Sequence, residues 1–146
     1  MRKTIKRCIS LFLLCLLVCS MMVPAFGTET RGSAYFSAHG VDATPIGNGK
    51  IAFEFDIVAT HTMTELGATS IGVYRENSDG TATLVRTYNQ SNTSGLYTTN
   101  NYTWYGRVDY QGVVGNDYYA IISMYCENAS GRESKSRATY VVTAVA

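Results

Sequence analysis

The run from Gly115 to Asn128 constrains the fold of this chain more than any other stretch. Turn residues open it, and Asn128-Ala129-Ser130-Gly131 closes it. At a period of two, Tyr118, Ala120, Ile122, Met124 and Cys126 fall on one side, while Tyr119, Ile121, Ser123 and Tyr125 fall on the other. One uniformly apolar side and one mixed, aromatic side mark a central strand, and the rest of the chain must cover that apolar side.

Several other stretches alternate in the same way. Ser33 to Ala38 makes a short first strand, and Pro45 with Gly47-Asn48-Gly49 marks a loop. In Lys50 to Ile57, Ile51, Phe53, Phe55 and Ile57 point inward while Glu54 and Asp56 point to water. Met63 to Gly67 reads as a connection in which Met63 and Leu66 plug one end of the core. Thr69 to Arg75 is a strand with Ile71 and Val73 inward and Tyr74 outward. Asn77-Ser78-Asp79-Gly80 is a hairpin turn, because Asp-Gly supplies the positive φ that such turns need. Ala82 to Tyr88 returns through Leu84, Val85 and Tyr88. Asn89 to Asn101, rich in Ser, Thr, Asn and Gly, reads as a long surface loop. In Tyr102 to Tyr110, Tyr102, Trp104, Val108 and Tyr110 share one side, and Thr103, Tyr105, Arg107 and Asp109 share the other. Arg137 to Ala144 closes the chain. About seven strands without an amphipathic helix predict an all-β, antiparallel sandwich of the immunoglobulin-like class.

The N-terminus sets the expected compartment. Arg2, Lys3, Lys6 and Arg7 precede an apolar run from Cys8 to Val23, and small residues follow around Pro24-Ala25 and Gly27. At about 16 residues the run is short for a span of about 20, so residues 1–27 are expected to be a secretory signal peptide. Leu16-Leu17-Val18-Cys19 places Val where a lipid-modification signal carries a small residue. The mature chain is then one domain over residues 28–146, outside the cell or in the envelope, with no membrane association once the leader is removed. Cleavage removes four of the 12 basic residues and none of the 11 acidic ones, leaving a net charge of about −3. No basic patch survives, which argues against nucleic acid as a partner. Cys8, Cys15 and Cys19 leave as well, so Cys126 has no internal disulfide partner. Its alternation with Ile122 and Met124 predicts an inert buried thiol; fraying of the strand end would instead expose it to an intermolecular disulfide.

The segment Val113 to Ile122, the turn at Asn128-Ala129-Ser130-Gly131 and the closing Val141-Val142-Thr143 resemble the F–G hairpin of fibronectin type III domains. The resemblance implies a fibronectin type III-like sandwich with a tyrosine corner, in which a Tyr opening strand F bonds back to the preceding loop. Spacing from Val113 selects Tyr119 for that role and the apolar alternation selects Tyr118, which is preferred here. The pattern departs from the family in having no Trp in the second or third strand; Trp104 precedes strand F. The chain also resembles a group of short, signal-bearing bacterial proteins of uncharacterised function through Gly67-Ala68-Thr69-Ser70, Asp79-Gly80 and Ser91-Asn92-Thr93-Ser94-Gly95. These features are structural, and no catalytic residue carries over.

Reactive constellations are not legible. His39 and His61 stand far apart without the paired ligands of a zinc site. No Gly-x-Ser-x-Gly elbow marks a nucleophile. Asp79 lacks the further acids of a calcium loop, and Glu54 with Asp56 reads as the solvated side of a strand. Neither cofactor nor metal is expected, and the chain is expected not to be an enzyme. Asn89, Asn92, Asn101 and Asn128 open Asn-x-Ser/Thr triplets that matter only in a glycosylating host. Eleven Tyr is more than a core of this size needs. Tyr74, Tyr119 and Tyr125 are expected on the outer face of one sheet, near Arg75 or Lys135, as ligand-binding residues for an unknown protein or a carbohydrate. Tyr is also an ordinary strand former that tolerates half-exposure. A secreted binding or interaction module is the leading expectation. A carbohydrate-binding module, a small secreted enzyme or inhibitor with a site in Asn89 to Asn101, and a self-assembling homo-oligomeric envelope protein stay open as alternatives.

Overall fold

A computed structural model describes residues 33–146. The expected leader, residues 1–27, lies outside the described residues. The chain forms seven strands: β1 Phe36–Gly47, β2 Lys50–Glu76, β3 Ala82–Asn89, β4 Tyr97–Gln111, β5 Asp117–Asn128, β6 Gly131–Ala138 and β7 Val142–Thr143. Every pairing is antiparallel, and all seven belong to one hydrogen-bonded sheet.

The 27 residues of β2 determine its shape. A straight strand of that length would reach roughly 90 Å at about 3.3 Å per residue, far beyond the width of a domain this size. Instead β2 changes partners. Its first half lies between β1 and β4, through Phe53 opposite Ala43 and Val108. Its second half lies between β3 and β5, through Tyr74 opposite Leu84 and Tyr119. Register shifts between Val58 and Met63 and between Ala68 and Ser70 let the sheet curl. At the crossover β4 begins directly against β2: a side chain at Gly67 would collide with the backbone of Leu96 and Tyr97, and Ala68 N–H donates to Leu96 O at 2.7 Å.

Curling brings the inward sides of both halves onto one core. Ile51, Phe53, Phe55 and Ile57 from the first half join Ile71 and Val73 from the second, and Ala120, Ile122, Met124 and Cys126 of β5 complete it. Met63 and Leu66 are buried in the core as expected, although they belong to continuous strand, not to a connection. Cys126 is fully buried, and that burial together with the charge of Glu133 pushes its thiol up to about 11. Three further boundaries differ from expectation. β1 continues through Pro45, β4 starts at Tyr97 inside the expected loop, and the closing strand divides into β6 and β7.

The two open flanks are bridged by side chains and, at one end, by the backbone bond from Gly49 N–H to Val145 O at 2.7 Å. On one, Ser33 Oγ and Tyr35 N–H donate to Glu133, and Arg137 Nε donates to His39 Nε2 at 3.1 Å. On the other, Tyr88 Oη donates to Asp109 O at 3.1 Å. Tyr118, not Tyr119, turns inward: its hydroxyl accepts from Val113 N–H at 2.9 Å, tying the start of β5 to the preceding loop.

Candidate functional site

The outward side of β3, the second half of β2, β5 and β6 is built in cross-strand rows. Leu84, Tyr74 and Tyr119 form one row; Thr87, Gly72, Ile121 and Ala138 form the next; Asn89, Ser70, Ser123 and Ser136 form a third. All three rows are free of charge. The Tyr74 and Tyr119 rings stack at 5.2 Å between centroids and 12° between planes. Gly72 makes room for this arrangement. A Cβ there would lie 3.2 Å from Tyr74 Cε2 and 3.5 Å from Leu84 Cδ1, so the Tyr74 ring leans along its own strand over the glycine. Leu84, half exposed at 52%, extends the stack to the edge.

A bulge adds a residue that sequence reasoning missed. Ile121 pairs with Ala138 and Tyr118 with Val142, so Tyr119 and Ala120 face the three residues Thr139 to Val141. Thr139 N–H donates to Ala120 O at 2.9 Å, while Ala120 N–H donates to Thr139 Oγ1 at 3.0 Å in place of a backbone carbonyl. The extra residue re-aims the chain and leaves Tyr140, within the bulged segment that faces Tyr119 and Ala120, 80% exposed. The one sequence trace of this bulge is Thr139, a residue able to bond a neighbouring N–H.

Tyr125 is not an exposed member of this face, which corrects the expectation. It does project to the outer side, opposite Gly67 and Ser134, yet it is fully buried. Its hydroxyl donates to the Glu65 carboxylate and accepts from Gln90 Nε2 at 2.7 Å, and the Arg132 guanidinium lies 4.0 Å above its ring. Burial and the Glu65 carboxylate raise its pKa well above the ordinary tyrosine value. Tyr125 pins the β3–β4 loop to the sheet. Arg75 and Lys135 are also absent from the Tyr74–Tyr119 face: they pair with the inward-facing Tyr118 and Met124.

The outward side of the other half is charged. Glu54 accepts from Tyr105 Oη at 2.6 Å and from Arg107 Nη1 at 3.3 Å, and Arg107 Nε reaches Asp109 at 2.8 Å. The bond to Glu54 raises the Tyr105 pKa. Glu54 is thus engaged by neighbours, and Asp56 lies over Gly40 of β1. His39 and His61 are separately occupied, by Arg137 and by Asn128 with Thr60. Asp79 accepts from the N–H and hydroxyl of Thr81 within its hairpin turn, and these bonds lower its pKa.

No family model matches the chain, and no curated protein matches it. Among solved structures it is similar to a family 76 glycoside hydrolase from a bovine Bacteroides thetaiotaomicron strain, with 18% identity over 73% of this chain and a TM-score of 0.31. The match spans 20% of the length of that protein. This neighbour is an enzyme, and the finding withdraws the sequence-based expectation that the chain is not one. A likeness of this extent carries no argument for an activity here.

Proposed function

We propose that the chain is a secreted binding module of immunoglobulin-like, fibronectin type III-like build, whose outer sheet face takes an uncharged polysaccharide. The observation that carries this reading is the Tyr74–Tyr119 stack, seated over Gly72 in three rows without a charged side chain. Apolar faces of sugar rings pack on aromatic rings, and the Tyr, Ser and Thr hydroxyls of this face answer sugar hydroxyls without a charge to desolvate. Leu84 and Tyr140 lengthen the strip beyond one sugar unit. Rigid cross-strand pairing reduces the ordering cost that weakens flat sites.

The fold reading is supported by strand order. The first half of β2 with β1 and β4 corresponds to strands A, B and E, and its second half with β5 and β6 to C, F and G. The Tyr118–Val113 bond has the form of a tyrosine corner. Joining B and C into one strand departs from that plan. The secreted location rests on the leader-like residues 1–27.

Binding to an array of neutral cell-wall and plant-type polysaccharides tests the reading. Tyr74→Ser and Tyr119→Ser are each expected to weaken a specific hit about fivefold, from about 1 kcal/mol per stacked ring. Tyr125→Phe should leave it unchanged. A hit indifferent to both Ser variants, or no hit at high protein concentration, rejects the proposal.

A further inference from the structure

Beyond the outer face, the flank where β3 and β4 part from β2 carries two adjoining depressions of about 460 and 320 Å³. They share Tyr88 and Asp109, whose hydroxyl-to-carbonyl bond bridges the flank between them. Arg107 and Thr93 line the larger, and Arg86 and Gln111 line the smaller. We infer that this flank is a separate ligand site, one that holds the carboxylate and neighbouring hydroxyls of an acidic sugar residue, a hexuronate.

Three observations carry the assignment. The two guanidinium groups differ in their surroundings. Arg107 is held between Glu54 and Asp109, and its charge is met. Arg86 has no acidic partner among the described residues, and its guanidinium stands 5.4 Å from the centre of the Tyr88 ring. A cation beside a cleft, unmatched by the protein's own acids, suits a ligand that brings the anion, and a guanidinium fork fits a carboxylate in two-point contact. Secondly, adjacent sugar hydroxyls each donate and accept. The Arg107–Asp109 pair places donors and an acceptor side by side at the larger depression, as vicinal hydroxyls need. At the smaller one Gln111 Nε2 is engaged by Asn48 O and Gly112 O, and its amide oxygen is left to accept.

Thirdly, the rim is preorganised. Asn89 Oδ1 accepts from Ser91 N–H and Asn92 N–H, Asn92 Nδ2 donates to Thr87 O, and Thr93 Oγ1 donates to Asn92 Oδ1 at 2.7 Å. The loop is therefore fixed with Thr93 at the cleft, and its hydroxyl oxygen can still accept. Depressions of a few hundred Å³ are of the size that holds a small ligand. The assignment does not depend on the neutral outer face, whose rows contain neither guanidinium nor Asp109, Gln111 or Thr93.

The test is a titration of the isotope-labelled chain with galacturonate and glucuronate, and with galactose and glucose as neutral counterparts, read by backbone amide shifts. Saturable shifts are expected at residues 86–93 and 107–111, with the uronates at least about tenfold tighter than the neutral sugars, the worth of one charge-assisted contact. Arg86→Gln should erase that difference, and Arg86→Lys should keep part of it. Because shifts locate the ligand, binding at Tyr74 and Tyr119 is distinguished from binding here. Equal affinity for uronate and neutral sugar, saturable shifts confined to other residues, or none at tens of millimolar would each overturn the inference.

Discussion

Between Tyr118 and Tyr119 a single step along the chain separates a residue that locks the fold from one that faces outward. Spacing pointed to Tyr119 for the inward role and alternation to Tyr118. Alternation is the better guide because the strand pleat fixes the side of every residue at once. The same principle placed Tyr125 on the outer side but could not reveal its cover, since Gln90 and Glu65 lie 35 and 60 residues away in sequence. Polar residues at this scale also set a pH dependence. Burial first, then Arg137 and Lys135, hold His39 below its ordinary pKa, against the opposing pull of Asp56 and Glu133. The unfolded chain therefore takes up a proton at His39 more readily than the folded one. Its contribution to stability is complete above about pH 6.5 and is lost as the pH falls through the lowered folded value. The urea midpoint is predicted to drop between about pH 7 and pH 5. His39→Gln, which keeps an acceptor for Arg137, should flatten that drop. An unchanged slope would assign it to other groups.

Among the elements, β2 shows where local reading stops. Its inward positions continue through Met63 and Leu66 into Ile71 and Val73, but exposed His61, Thr62 and Thr64 dilute the apolar signal, and Gly67 resembles a terminator. The glycine is instead required by the close approach of β4. Gly67→Ala is accordingly predicted to destabilise the chain by about 3 kcal/mol, the upper range for overpacking against a neighbour that cannot move. Guanidinium unfolding measures this directly, and a cost below about 1 kcal/mol would mean that β4 can shift away. The early start of β4 and the bulge at Thr139–Val141 were likewise hidden. Tyr97 to Asn101 pair through backbone, which leaves no mark on side-chain pattern, and a bulge is fixed by both strands of a pair. Strand identity was thus legible wherever one side is buried. Strand ends were not, and neither was the site's Tyr140.

For the molecule as a whole, one strand belongs to both halves of the curled sheet, and one core collects their inward sides. The flanks, by contrast, are bridged by isolated bonds among the described residues, such as Arg137 to His39, Tyr88 to Asp109 and the backbone bond from Gly49 N–H to Val145 O. Neither half can leave while the other persists without breaking β2 and exposing Phe53, Phe55 and Ile122 together. Unfolding should then be a single transition, and two native probes can report the two halves separately. Trp104, the one Trp of the chain, lies in β4, partly buried, with Nε1 donating to Gly95 O at 3.2 Å. Cys126 lies in β5 with its thiol fully covered, so it reacts with a thiol reagent only after β5 is exposed. Trp104 fluorescence and Cys126 labelling, followed through the same guanidinium titration, are predicted to share one midpoint. Labelling of Cys126 at a lower guanidinium concentration than the Trp104 change would mean that β5 and β6 detach first and that β2 is a hinge between two units. Coincidence would mean that the continuous strand couples the Tyr74–Tyr119 face to the charged face across the core.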